Sequence, residues 1–236
     1  MDQPKLKLWH HRYPEKLKEL REILRGTFPD LWVCVINKRV CIRGSLPVTA
    51  DNIVIDRYLI LVELPRGYPV SPPVVFEISN RIPRTAHHHM NQNGAACLFL
   101  PDEAWKYYTP TTSIVDFLRG PVNDFFLFQK ELELLGHSLV EARRHGVEGI
   151  IDYYQEELST KDLEVIIKFV DYLSRELKEQ PKGHWECFCG SARKLKDCHF
   201  AKLLEMRQKI QPSVAQISLQ RLRLYKQGEP DVIHAK

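Results

Sequence analysis

The sequence predicts an α+β fold: a four-stranded antiparallel meander with flanking helices, then a helical extension and a small metal knuckle. Three observations carry this expectation. Four segments rich in β-branched residues follow one another between residues 31 and 78, with no helical pattern between them. Helical periodicity precedes and follows them. Three of the six cysteines fall close together near the C-terminus, the spacing of a metal site rather than of a sheet.

Residues 13 to 25 read as an amphipathic helix, with Leu17, Leu20, Ile23 and Leu24 on one face and Lys16, Lys18, Glu19 and Arg21 on the other; Gly26 is expected to end it. Leu31 to Ile36 and Arg39 to Ser45 read as strands joined through Asn37-Lys38, followed by Ile53 to Leu64 and Val74 to Ile78. Pro65 to Pro73 lies between the last two strands. Its prolines fix φ and cannot donate ladder hydrogen bonds, so it must leave the sheet as a stiff loop. Residues 79 to 111 lack periodicity, and long ordered loops of that kind are usually functional. Thr112 to Phe128 reads as a helix capped by Thr112 or Ser113 and bent or interrupted at Gly120-Pro121. Further helices are expected over roughly 131 to 145, 148 to 158 and 160 to 179. The last carries a stripe of Leu163, Ile166, Ile167, Val170, Leu173 and Leu177, with Thr160 and Glu164 as its cap. Gln180 to Gly183 is a boundary. The expected domains are 1–158, a helical connector 159–180, a knuckle 181–202 and a basic helical tail 203–236.

Apolar residues make up 44% of the chain and aromatics 10%, enough for a core, which excludes a wholly disordered chain. No apolar run approaches the ~20 residues of a membrane helix, and Met1 to Lys5 has no signal-peptide character. The expectation is a cytoplasmic protein with no membrane partner, whose cysteines serve metal binding, catalysis or packing rather than disulfides. The net charge is +4, and residues 200 to 236 hold seven Lys/Arg against three Asp/Glu, so the excess belongs to the tail. A solvated helix face explains that better than a nucleic-acid contact.

Two cysteine groups carry chemistry. Cys97 follows the turn Asn93-Gly94-Ala95-Ala96, with His87, His88 and His89 eight to ten residues before it. A thiolate attacks carbonyls and thioesters well, and nearby donors stabilise the oxyanion that forms. A lone cysteine is more often a small buried hydrophobe, and three histidines are most often an exposed loop, so spacing alone does not establish catalysis. Cys187, Cys189, Cys198 and His199 form the second group. Three thiolates and an imidazole are the soft and borderline donors that tetrahedral zinc takes, and Gly190-Ser191 permits the turn between them.

The order of parts resembles the ubiquitin-conjugating enzymes over roughly residues 10 to 130. Gly67-Tyr68-Pro69-Val70-Ser71-Pro72-Pro73-Val74-Val75-Phe76 is similar to their Tyr-Pro-Phe-x-Pro-Pro loop. Asn93-Gly94-Ala95-Ala96-Cys97-Leu98 is similar to their Asn-Gly-x-Ile-Cys-Leu, and Trp105 falls at their tryptophan. The resemblance implies a ubiquitin-conjugating-like meander and a cysteine that carries an acyl group as a thioester. Cys97 would be the catalytic residue, His87 the structural histidine of the family's His-Pro-Asn, and His89 the substitute for its asparagine. That substitution resembles the bacterial relatives found in anti-phage operons, which charge a ubiquitin-like protein or the C-terminus of a nucleotidyltransferase. No ATP-binding glycine-rich loop is present, so an activating enzyme is the expected upstream partner and an amine the acceptor. Trp185 to His199 resembles the SEC-C motif, with Ala192 in place of its second glycine; this implies a structural zinc knuckle used for docking. The rival readings are a non-catalytic adaptor that binds a ubiquitin-like partner and, resting on the tail alone, a nucleic-acid accessory protein.

Overall fold

The computed structural model describes residues 9–137, 143–176, 181–229 and 231. The chain forms two compact units, Met1–Leu98 with Lys106–Glu141, and Phe99–Trp105 with Ala142–Lys236.

The first unit is α+β. A short turn α1 (Trp9–Arg12) leads into α2 (Pro14–Thr27), where Pro14 occupies the first helical turn, a position that needs no amide donor. Leu20 and Leu24 are buried, while Ile23 is left exposed. Gly26 does not end the helix as expected. The helix runs through Thr27, and the Phe28 amide closes it on the Leu24 carbonyl at 2.7 Å as the Phe28 ring enters the core.

Four strands follow: β1 (Leu31–Ile36), β2 (Arg39–Ala50), β3 (Ile53–Glu63) and β4 (Val74–Glu77). They form one antiparallel sheet in the order β1-β2-β3-β4. Asn37 and Lys38 both have positive φ (48° and 65°), the conformation of a two-residue turn matched to strand twist. Asp51 and Asn52 repeat it (48° and 64°). This second turn is why β2 extends past the expected Ser45 to Ala50, with Pro47 accommodated beside a register shift between Val48 and Thr49. Gly44, with φ +143°, is required where it stands, because a Cβ there would lie 2.0 Å from the Asp30 carbonyl oxygen.

One sheet face is the core of this unit. Val40, Ile42, Leu46, Val48, Tyr58, Ile60 and Val62 are all buried, as are Phe117, Leu118, Val122 and Phe126 from the helices that follow. Tyr58 stacks on Phe126 with ring centroids 4.5 Å apart. Ser113, one of the two expected caps, accepts the Asp116 amide at 3.1 Å and starts α3 (Ile114–Phe117). A wider turn spans Leu118–Val122, where Gly120 is non-helical (φ −92°, ψ −108°), so the expected interruption at Gly120-Pro121 is present. Then α4 (Asn123–Leu135) runs beyond the expected end at Phe128 until Gly136, at φ 75°, stops it. The helix expected over 131 to 145 therefore begins as the end of α4, and its residues 138 to 142 lie outside the described ones. The Asn123 side chain ties α4 to β2 by accepting the Thr49 amide (2.8 Å) and donating to the Thr49 carbonyl (3.0 Å).

The second unit is helical: α5 (Gly146–Leu158), α6 (Leu163–Ser174), α7 (Phe200–Lys209) and α8 (Pro212–Lys226), with the Cys187–His199 segment between α6 and α7. Asp162 rather than Thr160 caps α6, accepting the Glu164 amide at 2.8 Å, so the helix starts three residues later than expected. Of the expected stripe, Ile166, Ile167, Val170 and Leu173 are buried; Leu177 lies outside the described residues. Arg207 closes the other end of α6, donating to the carbonyls of Tyr172 (2.6 Å) and Arg175 (2.7 Å), which helix geometry leaves without intrahelical partners. Among the described residues, no helix is long and apolar enough to cross a membrane.

The segment Phe99–Trp105 threads into this unit by polar side chains. Asp102 is fully buried and accepts from Tyr154 Oη (2.7 Å) and Ser218 Oγ (2.6 Å), while Arg143 Nε donates to Glu103 at 2.9 Å. Burial raises the Asp102 carboxyl above the usual range against the pull of these two donors. The cations of α7 and α8 are engaged within the unit. Lys202 pairs with Glu157, Arg223 with Asp171, Arg221 with Asp231, and Lys226 with Glu164.

Candidate functional site

The Cys97 loop is built from short backbone bridges. Residues 90 to 97 fold back on themselves and against β4: Ala96 donates to the Val75 carbonyl (2.8 Å), and Met90 bridges Ala96. Asn93-Gly94 makes the turn. Gly94 takes φ +85°, its amide reaches the Asn91 carbonyl (2.9 Å), and the Asn93 side chain accepts the Ala95 amide (3.0 Å). A Cβ on Gly94 would also come within 3.2 Å of the Arg84 guanidinium. The positive φ is what calls for glycine here, since the exposed Arg84 side chain can move aside.

Cys97 emerges half-buried from this turn, its amide held by the His89 carbonyl at 2.8 Å. A His89 ring nitrogen and Cys97 Sγ lie within 4.8 Å of each other. His89 has left-handed backbone (φ 47°, ψ 39°), a conformation that histidine and asparagine tolerate better than most side chains. Its ring packs edge-on against Phe128, 5.4 Å between centroids. Burial first, and His87 second, hold the His89 imidazole below its ordinary pKa. The ring is therefore neutral at pH 7 and carries one N–H. It can donate to a developing oxyanion or accept the thiol proton, but a standing thiolate–imidazolium pair is disfavoured. The structure thus brings His89 to Cys97. His87 is exposed and meets His88 edge-on at 5.2 Å.

The proline loop is stiffened by its own amides, Tyr68 to the Pro65 carbonyl (3.0 Å) and Ser71 to the Gly67 carbonyl (3.0 Å), and the Tyr68–Pro69 peptide is cis. Tyr108 Oη donates to the Pro69 carbonyl at 2.9 Å, a tie that no spacing in the sequence announces. Trp105 belongs to the second unit, where its Nε1 donates to Tyr153 Oη (3.3 Å) and the Lys209 ammonium sits 3.9 Å over its ring.

The four expected metal ligands are together in the second unit. The donor atoms of Cys187, Cys189, Cys198 and His199 all lie within 4.8 Å of one another. Cys187 Sγ is 3.2 Å from His199 Nδ1, Cys198 Sγ 3.1 Å from the same nitrogen, and Cys189 Sγ 3.4 Å from Cys187 Sγ and 3.6 Å from Cys198 Sγ. A tetrahedron with metal–sulfur bonds of about 2.3 Å has edges of about 3.7 Å, so the donors enclose a volume that suits one such ion. Two strand-like arms make this geometry. Cys187 donates to the Arg193 carbonyl (2.9 Å) and Leu195 to the Trp185 carbonyl (2.7 Å), with the turn between them at Gly190 (φ 74°) and Ala192 (φ 57°). Ala192 stands where left-handed backbone favours glycine. Arg193 Nη2 lies 3.2 Å from Cys198 Sγ, a cation that offsets thiolate charge. Burial pushes the Cys187 thiol up to about 11. The Cys189 thiol drops to about 6, since the hydrogen bonds from Ser191 and its neighbouring thiols outweigh its desolvation. The donor set can hold a metal ion and presents four protein ligands to it.

The knuckle is part of the unit's core. Cys187, Phe188 and Leu195 are buried in one cluster with Tyr154, Phe169, Leu203 and Met206. Phe188 lies 5.3 Å from the Phe169 ring and 5.0 Å from that of His199. No protein-family model matches the chain, and no curated protein matches it either.

Proposed function

We propose that the first unit is a ubiquitin-conjugating-like domain and that Cys97 is an acyl carrier. The single observation that carries this reading is the pairing of Cys97 with His89. A half-buried thiol has its backbone pinned by the His89 carbonyl, and the His89 ring lies within 4.8 Å of the sulfur. In the reaction, Cys97 Sγ attacks the carbonyl carbon of a thioester presented by an activating enzyme. A new C–S bond forms, the donor's C–S bond breaks, and the donor thiol leaves with the proton that Cys97 gave up. An amine nitrogen then attacks the same carbon, and Cys97 departs as thiol. His89 donates its N–H to the tetrahedral oxyanion in the place of an asparagine amide. The carried acyl group belongs to the C-terminus of a ubiquitin-like protein or of a nucleotidyltransferase, as in bacterial antiviral defence. The metal cluster holds a structural zinc, closed to catalysis by its four ligands.

The test is a charging assay. The full chain, its neighbouring-gene activating enzyme and the candidate carried protein are mixed with ATP and run on a non-reducing gel. A band shift that thiol reductant removes, and that Cys97→Ser turns reductant-resistant or abolishes, supports the reading. An adduct that survives Cys97→Ala sinks it and leaves the adaptor reading.

A further inference from the structure

Cys34 and Cys41 face each other across the first hairpin. They are Cα partners in the β1–β2 register, and both are free thiols. Residues directly opposed on two antiparallel strands point to the same face of the sheet, with Cα atoms about 4.5–5.5 Å apart. That separation lies inside the range of about 4.4–6.8 Å that a disulfide spans. Cysteine accounts for 6 of 236 residues, so a directly opposed pair is not expected from composition. Packing alone would be served by any small apolar residue at either position.

The surroundings suit thiol exchange. Burial first, and the Cys34 charge second, push the Cys41 thiol up, while a backbone hydrogen bond from Ile36 and the Arg39 cation pull it back. Glu63 opposes Cys41 from β3, and its carboxylate is paired with Arg39, so no net negative charge stands against a thiolate there. Access is graded across the pair. Cys34 is half-buried and can meet a reagent from solvent, whereas Cys41 is 2% exposed and is shielded from one. A solvent-facing thiol that reacts first, with a buried thiol in register behind it, is the arrangement that closes an intramolecular disulfide.

We propose that Cys34 and Cys41 form a dithiol site that small disulfides oxidise reversibly, joining β1 to β2. Cys34 Sγ attacks one sulfur of the small disulfide. A mixed disulfide forms, the small molecule's S–S bond breaks, and its first thiol leaves with the Cys34 proton. Cys41 Sγ then attacks the Cys34 sulfur, and the second small thiol leaves with the Cys41 proton. The protein gives up two electrons and two protons, and the small disulfide takes up both. The site stands independently of Cys97 and of the metal cluster.

The probe is 2-hydroxyethyl disulfide, which is small and uncharged. The full chain, saturated with zinc to occupy the Cys187, Cys189, Cys198 and His199 donors, is exposed to it under native conditions. Remaining thiols are alkylated on denaturation. Trypsin cuts after Lys38 and Arg39, so Cys34 and Cys41 end on separate peptides that only a disulfide holds together. Mass spectrometry is expected to find that linked pair as the main product at Cys34, and dithiothreitol to return both residues to thiols. Cys41→Ser is expected to stop at one hydroxyethylthio group on Cys34. In Cys34→Ser, Cys41 is expected to react at least about tenfold more slowly than Cys34 does in the wild type, because burial withholds it. A wild-type chain whose Cys34 and Cys41 both remain thiols, or whose Cys34 keeps the mixed disulfide without passing it to Cys41, overturns the proposal. The wild-type result is decisive without either variant.

Discussion

His89 is where a single residue decides most. Left-handed backbone at this position admits histidine or asparagine, and the ring lies within 4.8 Å of the Cys97 sulfur, where the proposed reaction would use it. Its depressed pKa also has a stability consequence. A histidine harder to protonate in the folded chain than in the unfolded one, near 6.5, costs nothing above that pH and destabilises progressively as pH falls through it. Burial lowers His88 in the same direction. Asp56 and Glu133 are held low by Arg81 and withdraw their support only below about pH 4, whereas Asp124, raised by burial, opposes the histidines. Comparing urea midpoints of wild type and His89→Asn from pH 7.5 to 5 cancels the carboxylates. The wild type should lose more stability on acidification, and equal slopes would remove His89 from this account. At Ala192 the sign is reversed: Ala192→Gly should stabilise the knuckle by roughly 0.5–1 kcal/mol, the left-handed cost less glycine's greater entropy, as read from thermal melts. Gly44→Ala should cost at least about 1–3 kcal/mol, because the new Cβ meets the Asp30 backbone rather than a side chain that can move.

Among the elements, the strands were legible because β-branched alternation and two-residue turns are local signals. β1 matches its expected span, and β4 ends one residue short. Legibility failed where a local signal was outcompeted. Gly26 was overridden by burial of Phe28, Thr160 by a better-placed Asp162, and the end of β2 by a second tight turn at Asp51-Asn52. The four metal donors could be read from spacing, since a two-arm knuckle is a local structure. That Phe188 and Leu195 enter a core with α6 and α7 could not, because it depends on packing between distant segments. The same holds for Gln129, which lies on α4 and whose partner is a carbonyl 41 residues away. The shared core makes a prediction about the metal. Purified protein should contain about one zinc per chain. Its removal by chelator should lower hydrogen-exchange protection in α6 and α7 as well as in the knuckle, since burying Phe188 and Leu195 is worth about 1.5–3 kcal/mol each and their placement depends on the ligands beside them. Loss of protection confined to residues 185–199 would show that the helices hold without it.

At the scale of the whole molecule, two units divide the chemistry. One presents a cysteine on a turn held to a sheet, and the other gathers four side chains that could hold a metal ion within a helical core. Their chain paths interleave: the seven residues that begin two after Cys97 belong to the helical unit, fixed there through Asp102, Glu103 and Trp105. On the proposed reading, Cys97 exchanges thioesters without help from the metal. The most direct measurement is intact-mass spectrometry of the zinc-loaded full chain after brief exposure to a glycine-terminated peptide thioester, followed by mapping of the acylated residue. The account predicts one acyl group, on Cys97, removed by thiol reductant, absent in Cys97→Ala and slowed in His89→Ala more than in His89→Asn. Acylation spread over Cys34, Cys41 and the metal ligands while Cys97 stays unmodified, or an unchanged adduct in Cys97→Ala, would contradict it.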